Sequence, residues 1–81
     1  MLVVYGSMLC PDCVNCREAF DNAAIPYEYR DFSESLSHLK AFLKMRDHDA
    51  IFDSVKEAGS IGIPCILREN GEIILEWESL L

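Results

Sequence analysis

The chain is short of positive charge. Its 81 residues carry 7 Lys and Arg against 14 Asp and Glu, a net charge of −7 at pH 7. Nucleic-acid binding displaces phosphate counterions with cations, and an anionic membrane surface attracts the same residues. Neither partner fits this balance. Long apolar runs are also missing, and none reaches the roughly 20 residues that span a bilayer. The opening segment, MLVVYGSMLC, has no basic n-region, and its apolar run is too short for a secretory h-region. The expectation is a cytoplasmic protein, where structural disulfides are rare. There is no internal repeat, linker or low-complexity segment, so residues 1–81 read as one small domain.

What is present is cysteine, and it is clustered. Three of the four cysteines fall in Leu9–Cys16, "LCPDCVNC", at three-residue spacing. Such a stretch can be a metal clamp, a redox dithiol with a bystander, or a set of buried thiols. An even number of cysteines also raises a secreted disulfide scaffold. The strong periodicity of the chain and the lack of an export segment weigh against that.

Leu2–Tyr5 is a short β-rich apolar run ended by Gly6-Ser7 and reads as a buried strand. A helix is expected over 11–24, with Pro11 at the first helical position, where its missing N–H has no partner anyway. Ile25-Pro26 ends it. Residues 27–31 alternate as a second strand. Ser33 or Ser35 can cap the next helix, whose inward positions are expected at Leu36, Leu39, Phe42 and Leu43. Arg46–Asp49 interrupts that stripe, and Phe52, Val55 and Ala58 resume it in a separate helix over about 49–58 that stops at Gly59. Residues 64–67 form a third strand, Asn70-Gly71 a hairpin turn that tolerates positive φ at both positions, and residues 73–77 a fourth strand. The order β-α-β-(αα)-β-β predicts an α/β fold with a four-stranded mixed sheet flanked by helices. The first two strands are parallel and the last two antiparallel. In such sheets the reactive site sits at the carboxyl end of a strand, and here the loop after the first strand leads into Cys10.

The helical wheel separates the cysteines. At roughly 100° per residue, Cys16, Ala19, Phe20 and Ala23 share one side, opposite Asn15, Glu18, Asp21 and Asn22. Cys16 is therefore expected as a small buried hydrophobe, the sharper alternative being a metal ligand whose fourth partner only Cys65 could supply. Cys10 falls at the N-cap. Unpaired N–H groups of the first turn and the positive end of the helix dipole favour its thiolate, which makes it the expected nucleophile. Cys13, one turn inside, fits a resolving thiol that attacks a mixed disulfide on Cys10. Asp12 between them disfavours the thiolate and would make the pair more reducing.

On these residues the chain resembles a glutaredoxin within the thioredoxin superfamily. Cys10-Pro11-Asp12-Cys13 follows the first strand, Gly62-Ile63-Pro64 precedes the hairpin, and Asn70-Gly71 forms its turn. It also resembles short bacterial glutaredoxin-like proteins carrying C-P-D-C and I-G-I-P-C. The resemblance implies a thioredoxin-like fold with a shortened C-terminal helix, and Cys10 and Cys13 as the catalytic pair of a dithiol thiol-disulfide oxidoreductase. It implies a cis Pro64 packed beside the dithiol, with Ile63 offering backbone groups to the substrate. Leu9, Pro11, Trp77, Glu78 and Ser79 complete the substrate or glutathione groove. No bound cofactor or metal is implied. Glutathione enters as reductant or co-substrate, disulfide-containing proteins are the partners, and a monomer is expected.

The departures lie in the groove. Ser7 stands where many members place Lys or Arg, Gly62 where many have Thr, and Leu75-Glu76 where many have two glycines. Glu78 would repel a glutathione carboxylate, whereas Ser79 and nearby N–H groups could receive one. Trp77 either walls this groove or closes the core. Cys65 is expected to be a packed thiol and His48 part of a solvated turn. Arg46 and Lys56 are the cations available to an anion. Two other readings remain: a thioredoxin-like electron carrier that does not use glutathione, and a module in which Cys10 and Cys13 hold a metal or an iron–sulfur cluster.

Overall fold

The computed structural model describes residues 1–81. The chain runs β1 (Leu2–Gly6), α1 (Pro11–Asn22), β2 (Tyr27–Asp31), α2 (Leu36–His48), a 3-10 turn (Ala50–Phe52) leading into α3 (Asp53–Glu57), β3 (Cys65–Leu67), β4 (Ile73–Ile74) and a 3-10 helix (Trp77–Leu80). The strands form one mixed sheet in the order β2-β1-β3-β4. β1 and β2 are parallel, while β1–β3 and β3–β4 are antiparallel. This is the α/β architecture expected from the element order. No helix is long and apolar enough to cross a membrane.

Alternation along the strands splits the core in two. Val4 and Ile66, paired across β1 and β3, face α1 and pack with Cys16, Phe20 and Trp77. Tyr5 and Cys65, the next pair, face the other way and pack with Phe42 and Phe52. Phe20, Phe42 and Phe52 are fully buried, each contributing about 1.5–3 kcal/mol of apolar transfer.

Several expectations need correction. α1 ends at Asn22 rather than 24, because Ala24 turns left-handed at φ 56°. The Ile25 amide then reaches back to the Phe20 carbonyl at 2.9 Å, a Schellman-type stop, and Ala23 is left exposed. In α2, Ser35 is the cap, accepting from the Ser37 amide at 3.2 Å. Phe42 and Leu39 turn inward as expected, whereas Leu36 and Leu43 are exposed. Those two are seven residues apart and share a flank roughly 100° from Phe42, beyond the reach of the sheet. The break after α2 falls at Asp49, whose carboxylate accepts from the Ile51 amide at 3.0 Å. The following segment is a 3-10 turn plus the five-residue α3, not one helix over 49–58. Gly59, at φ +72°, ends it as expected.

The hairpin also differs. Only Gly71 takes positive φ (+89°), not Asn70. The Gly71 amide donates to the Arg68 carbonyl and the Arg68 amide to the Glu72 carbonyl, both at 2.9 Å. The connection is thus a three-residue loop over 69–71 with glycine at its left-handed position. The fourth strand stops at Ile74 instead of 77. Trp77 is pulled out of it to stack edge-on against Phe20, ring centroids 6.2 Å apart. The chain closes in a single 3-10 turn there.

Candidate dithiol site at the end of the first strand

β1 delivers the chain into a tight turn. The Cys10 amide donates to the Ser7 carbonyl at 3.0 Å, and the Leu9 amide to Ser7 Oγ at 3.1 Å. Met8 and Leu9 are thereby thrust outward, Leu9 to 92 % exposure. Cys10 itself has extended backbone (φ −92°, ψ 118°) while its carbonyl accepts the first helical bond, from Val14 at 3.1 Å. It is the N-cap of α1, and its Sγ takes the cap position by accepting from the Cys13 amide at 3.4 Å. Pro11 occupies the first helical turn and is exposed.

The four thiols are free, and the fold ranks them by access. Cys10 is half-buried; Cys13, Cys16 and Cys65 are fully buried. Burial pushes the Cys13 thiol up to about 12. The Ser7 amide opposes this, the adjoining Cys10 adds to it, and the Tyr29 hydroxyl opposes it. Burial pushes Cys16 to about 12 as well, reinforced by the charges of Asp12 and Glu78. It does the same to Cys65, with Asp49 adding. Cys16 packs with Val4 and Phe20, as the wheel predicts, and Cys65 sits in the other core. The sheet therefore separates Cys65 from the Cys10–Cys16 stretch, and no set of three or more His, Cys, Asp or Glu side chains converges on a common point.

The segment before β3 reaches the same end of the sheet, because Tyr5 pairs with Cys65. The Ile63–Pro64 bond there is cis, as the resemblance implies, and Pro64 is fully buried. Gly62 precedes it at φ +95°, where a Cβ would lie 3.1 Å from the Phe52 ring. Only glycine suits that backbone. Arg46 holds this loop, donating through Nε to the Ile61 carbonyl and through Nη2 to the Ser60 carbonyl, both at 2.8 Å. It is thus already engaged by carbonyls. Lys56 pairs loosely with Asp53 at 3.8 Å.

Trp77 resolves toward the core. It is 8 % exposed, and its indole Nε1 donates to Asp12 Oδ1 at 3.3 Å. Asp12 is therefore an anchor for the C-terminal turn as well as the residue between the two cysteines. Glu78 is exposed, and Ser79 donates both its amide and its hydroxyl to the Glu76 carbonyl, at 3.0 and 2.8 Å. Ile63 is half-buried. His48 turns back on its own helix, Nδ1 lying 2.9 Å from the Lys44 carbonyl.

Sequence reasoning missed the groups behind Cys13. Gly6 has room for no side chain: a Cβ would lie 2.8 Å from Cys13 Sγ and 3.0 Å from Tyr29 Oη. Tyr29 Oη is buried and makes no hydrogen bond of good geometry. The Arg17 guanidinium lies 4.7 Å above the Tyr29 ring and donates through Nε to Tyr27 Oη at 3.2 Å. The period-two pattern of Tyr27, Tyr29 and Asp31, parallel to a strand that ends at Gly6, was the available signal. A half-exposed thiol backed by a shielded thiol one turn inside the helix can close into a disulfide while a substrate departs.

No family model matches the chain, and no solved structure matches it. An uncharacterized protein of Haemophilus influenzae is 32% identical over 78 residues, a stretch covering 96% of this chain and 91% of the Haemophilus protein. The match takes in the N-terminal dithiol turn, the sheet and the closing hairpin together, and the chain belongs to the same family as that Haemophilus influenzae protein.

Proposed function

We propose that this protein is a glutaredoxin-type dithiol oxidoreductase with a thioredoxin-like fold. It would reduce protein disulfides or glutathione mixed disulfides through Cys10 and Cys13. The observation that carries this reading is the asymmetry of the pair. Cys10 caps α1, is reachable from solvent and accepts the Cys13 amide at 3.4 Å, while Cys13 is fully buried one turn behind it. The strand order and the position of the pair after β1 support it. In the reaction, Cys10 sulfur attacks a substrate disulfide and forms a mixed disulfide. Cys13 then attacks Cys10 sulfur and the substrate leaves reduced. A monomer in the reducing cytoplasm fits this cycle. The glycine at position 62, where the family often has Thr, follows from its positive φ and the Phe52 ring behind it.

Glutathione is the proposed reductant. A second reading, a carrier served by a flavoprotein reductase, is favoured by one set of contacts. Arg17 and Arg46 are committed within the fold, Ser7 Oγ accepts from Leu9, and Glu78 is exposed at the groove. Of the two cations available to an anion, Arg46 is therefore otherwise engaged and only Lys56, loosely paired with Asp53, is left to meet a glutathione carboxylate. A cluster-binding module with Cys10 and Cys13 as ligands would show a visible absorption band after anaerobic purification.

The deciding experiment compares three variants on two substrates. Cys10→Ser should abolish all thiol exchange. Cys13→Ser should lose protein-disulfide reduction yet keep removal of glutathione from a mixed disulfide, which needs only Cys10 and a second glutathione. Cys16→Ala should keep both activities and cost about 1 kcal/mol of stability. Turnover with glutathione and its reductase, against thioredoxin reductase, separates the two electron donors. Loss of activity in Cys16→Ala but not Cys13→Ser would overturn the assignment of the pair.

A further inference from the structure

Resting on the dithiol reading above, we propose that Tyr29 is a catalytic residue of the resolving step: its hydroxyl donates a hydrogen bond to Cys13 sulfur as that sulfur takes on charge. Three independent features of the fold carry this. The first is place. Tyr29 pairs with Val4 in β2, so its side chain projects onto the α1 face of the sheet. There Tyr29 Oη and Cys13 Sγ converge on the one spot a side chain at Gly6 would fill, 3.0 Å and 2.8 Å from it. The missing side chain of Gly6 is what leaves that space to both.

The second is an unspent proton. Tyr29 Oη is the one buried side-chain oxygen or nitrogen without a hydrogen-bond partner in the reduced protein. A buried hydroxyl left unpaired costs stability, and such a group calls for an explanation, a catalytic role among them. The charge that appears on Cys13 during resolution is such a change. The third is fixation. The Arg17 guanidinium sits on the ring at 4.7 Å, and Arg17 is held by Tyr27, whose own hydroxyl donates to Asp21 Oδ1 at 2.7 Å. These contacts hold the ring in place.

The hydroxyl acts as a donor, not as a base. Burial, and after it the nearby Cys13 and Asp31, push its titration up, while Arg17 pulls it down less. It stays protonated at neutral pH. The other groups facing Cys13 are the Cys10 thiol on the same helix and the Ser7 amide. In the step itself, the Cys13 thiol gives up its proton and the sulfur attacks Cys10 sulfur. The Cys10–Cys13 S–S bond forms and the bond from Cys10 to the substrate sulfur breaks. The electron pair leaves on the substrate sulfur, which takes up the proton that Cys13 lost. The dithiol is oxidised, the substrate disulfide is reduced, and the Tyr29 O–H is unchanged at the end.

The test uses the whole chain and an aromatic disulfide, 5,5′-dithiobis(2-nitrobenzoate), in stopped flow. Attack by Cys10 releases one coloured thiolate at a rate set by reagent concentration. Resolution by Cys13 releases the second at a rate independent of it. Tyr29→Phe should leave the first phase unchanged and slow the second about tenfold at pH 7, the factor for one hydrogen bond to a developing charge. Its second-phase pH profile should move to higher pH. Gly6→Ala, which keeps the hydroxyl but sets a Cβ 3.0 Å from it and 2.8 Å from the sulfur, should slow the second phase likewise. A wild-type second phase in either variant overturns the role of Tyr29, as does equal slowing of both phases. Absence of any Cys13-dependent second phase in the wild-type protein, judged against Cys13→Ser, overturns the dithiol reading and this inference with it.

Discussion

At the scale of single residues, the three neighbouring cysteines have one chemistry and three surroundings. Cys10 caps a helix in reach of solvent, Cys13 lies behind it against Gly6, and Cys16 is packed in the core with Val4 and Phe20. A thiol reacts as its thiolate and only if a reagent can reach it. Cys13, Cys16 and Cys65 are fully buried, with their titration pushed up to about 12. Brief treatment with iodoacetamide at pH 7 should therefore label Cys10 alone, read by peptide mass spectrometry, with the other three appearing only after denaturant. Equal labelling of Cys10 and Cys16 in the folded protein would remove both the capping argument and the wheel assignment. Cys10 and Cys16 were legible because each depends on position within one helix. The partner of Cys13 was not, because Tyr29 lies on a separate strand, sixteen residues further along the chain.

At the scale of elements, the ends were harder to read than the middles. α1 was placed correctly from Pro11 onward, yet its stop depends on Ala24 adopting φ 56°. Nothing in an alanine announces a left-handed turn, which costs a side-chain-bearing residue about 1–2 kcal/mol. The tertiary requirement that Pro26 and β2 follow at once imposes it. Ala24→Gly should relieve that strain and raise stability by about 1 kcal/mol, measured by urea unfolding. A neutral or lower midpoint would mean that the glycine's extra freedom in the unfolded chain offsets the relief. The fourth strand failed for a related reason. Residues 73–77 alternate as a strand, but Trp77 gains more by stacking on Phe20 and bonding Asp12 than by continuing a short edge. The Asn-Gly turn was found, and its loop length was not, since two- and three-residue loops share that signal.

At the scale of the whole molecule, the sheet acts as a partition. Cys16 and Cys65 lie in separate cores on its two faces, each held as a neutral thiol. That has a consequence at high pH. In the unfolded chain these thiols lose their protons near 9.0; in the folded chain Cys13, Cys16 and Cys65 hold theirs to about 12. Between those values the unfolded state binds fewer protons, so stability falls as pH rises. The contribution is fully present below 9.0 and is lost progressively toward 12. Urea midpoints should hold from pH 7 to about 8.5 and then drop, and the drop should be shallower in a Cys16→Ala, Cys65→Ala double variant. The sequence by itself determined the order of elements, the parallel first pair and the closing hairpin, and the capped dithiol with Cys16 turned inward. All of these follow from local propensity, from periodicity, or from the crossover that two strands joined through a helix require. Only the tertiary structure decided that Trp77 closes the core on Asp12, that Cys65 is walled off from the dithiol, and that an unpaired hydroxyl stands behind Cys13. Each of those depends on which distant residues the twisted sheet brings face to face, and no spacing along the chain encodes that distance.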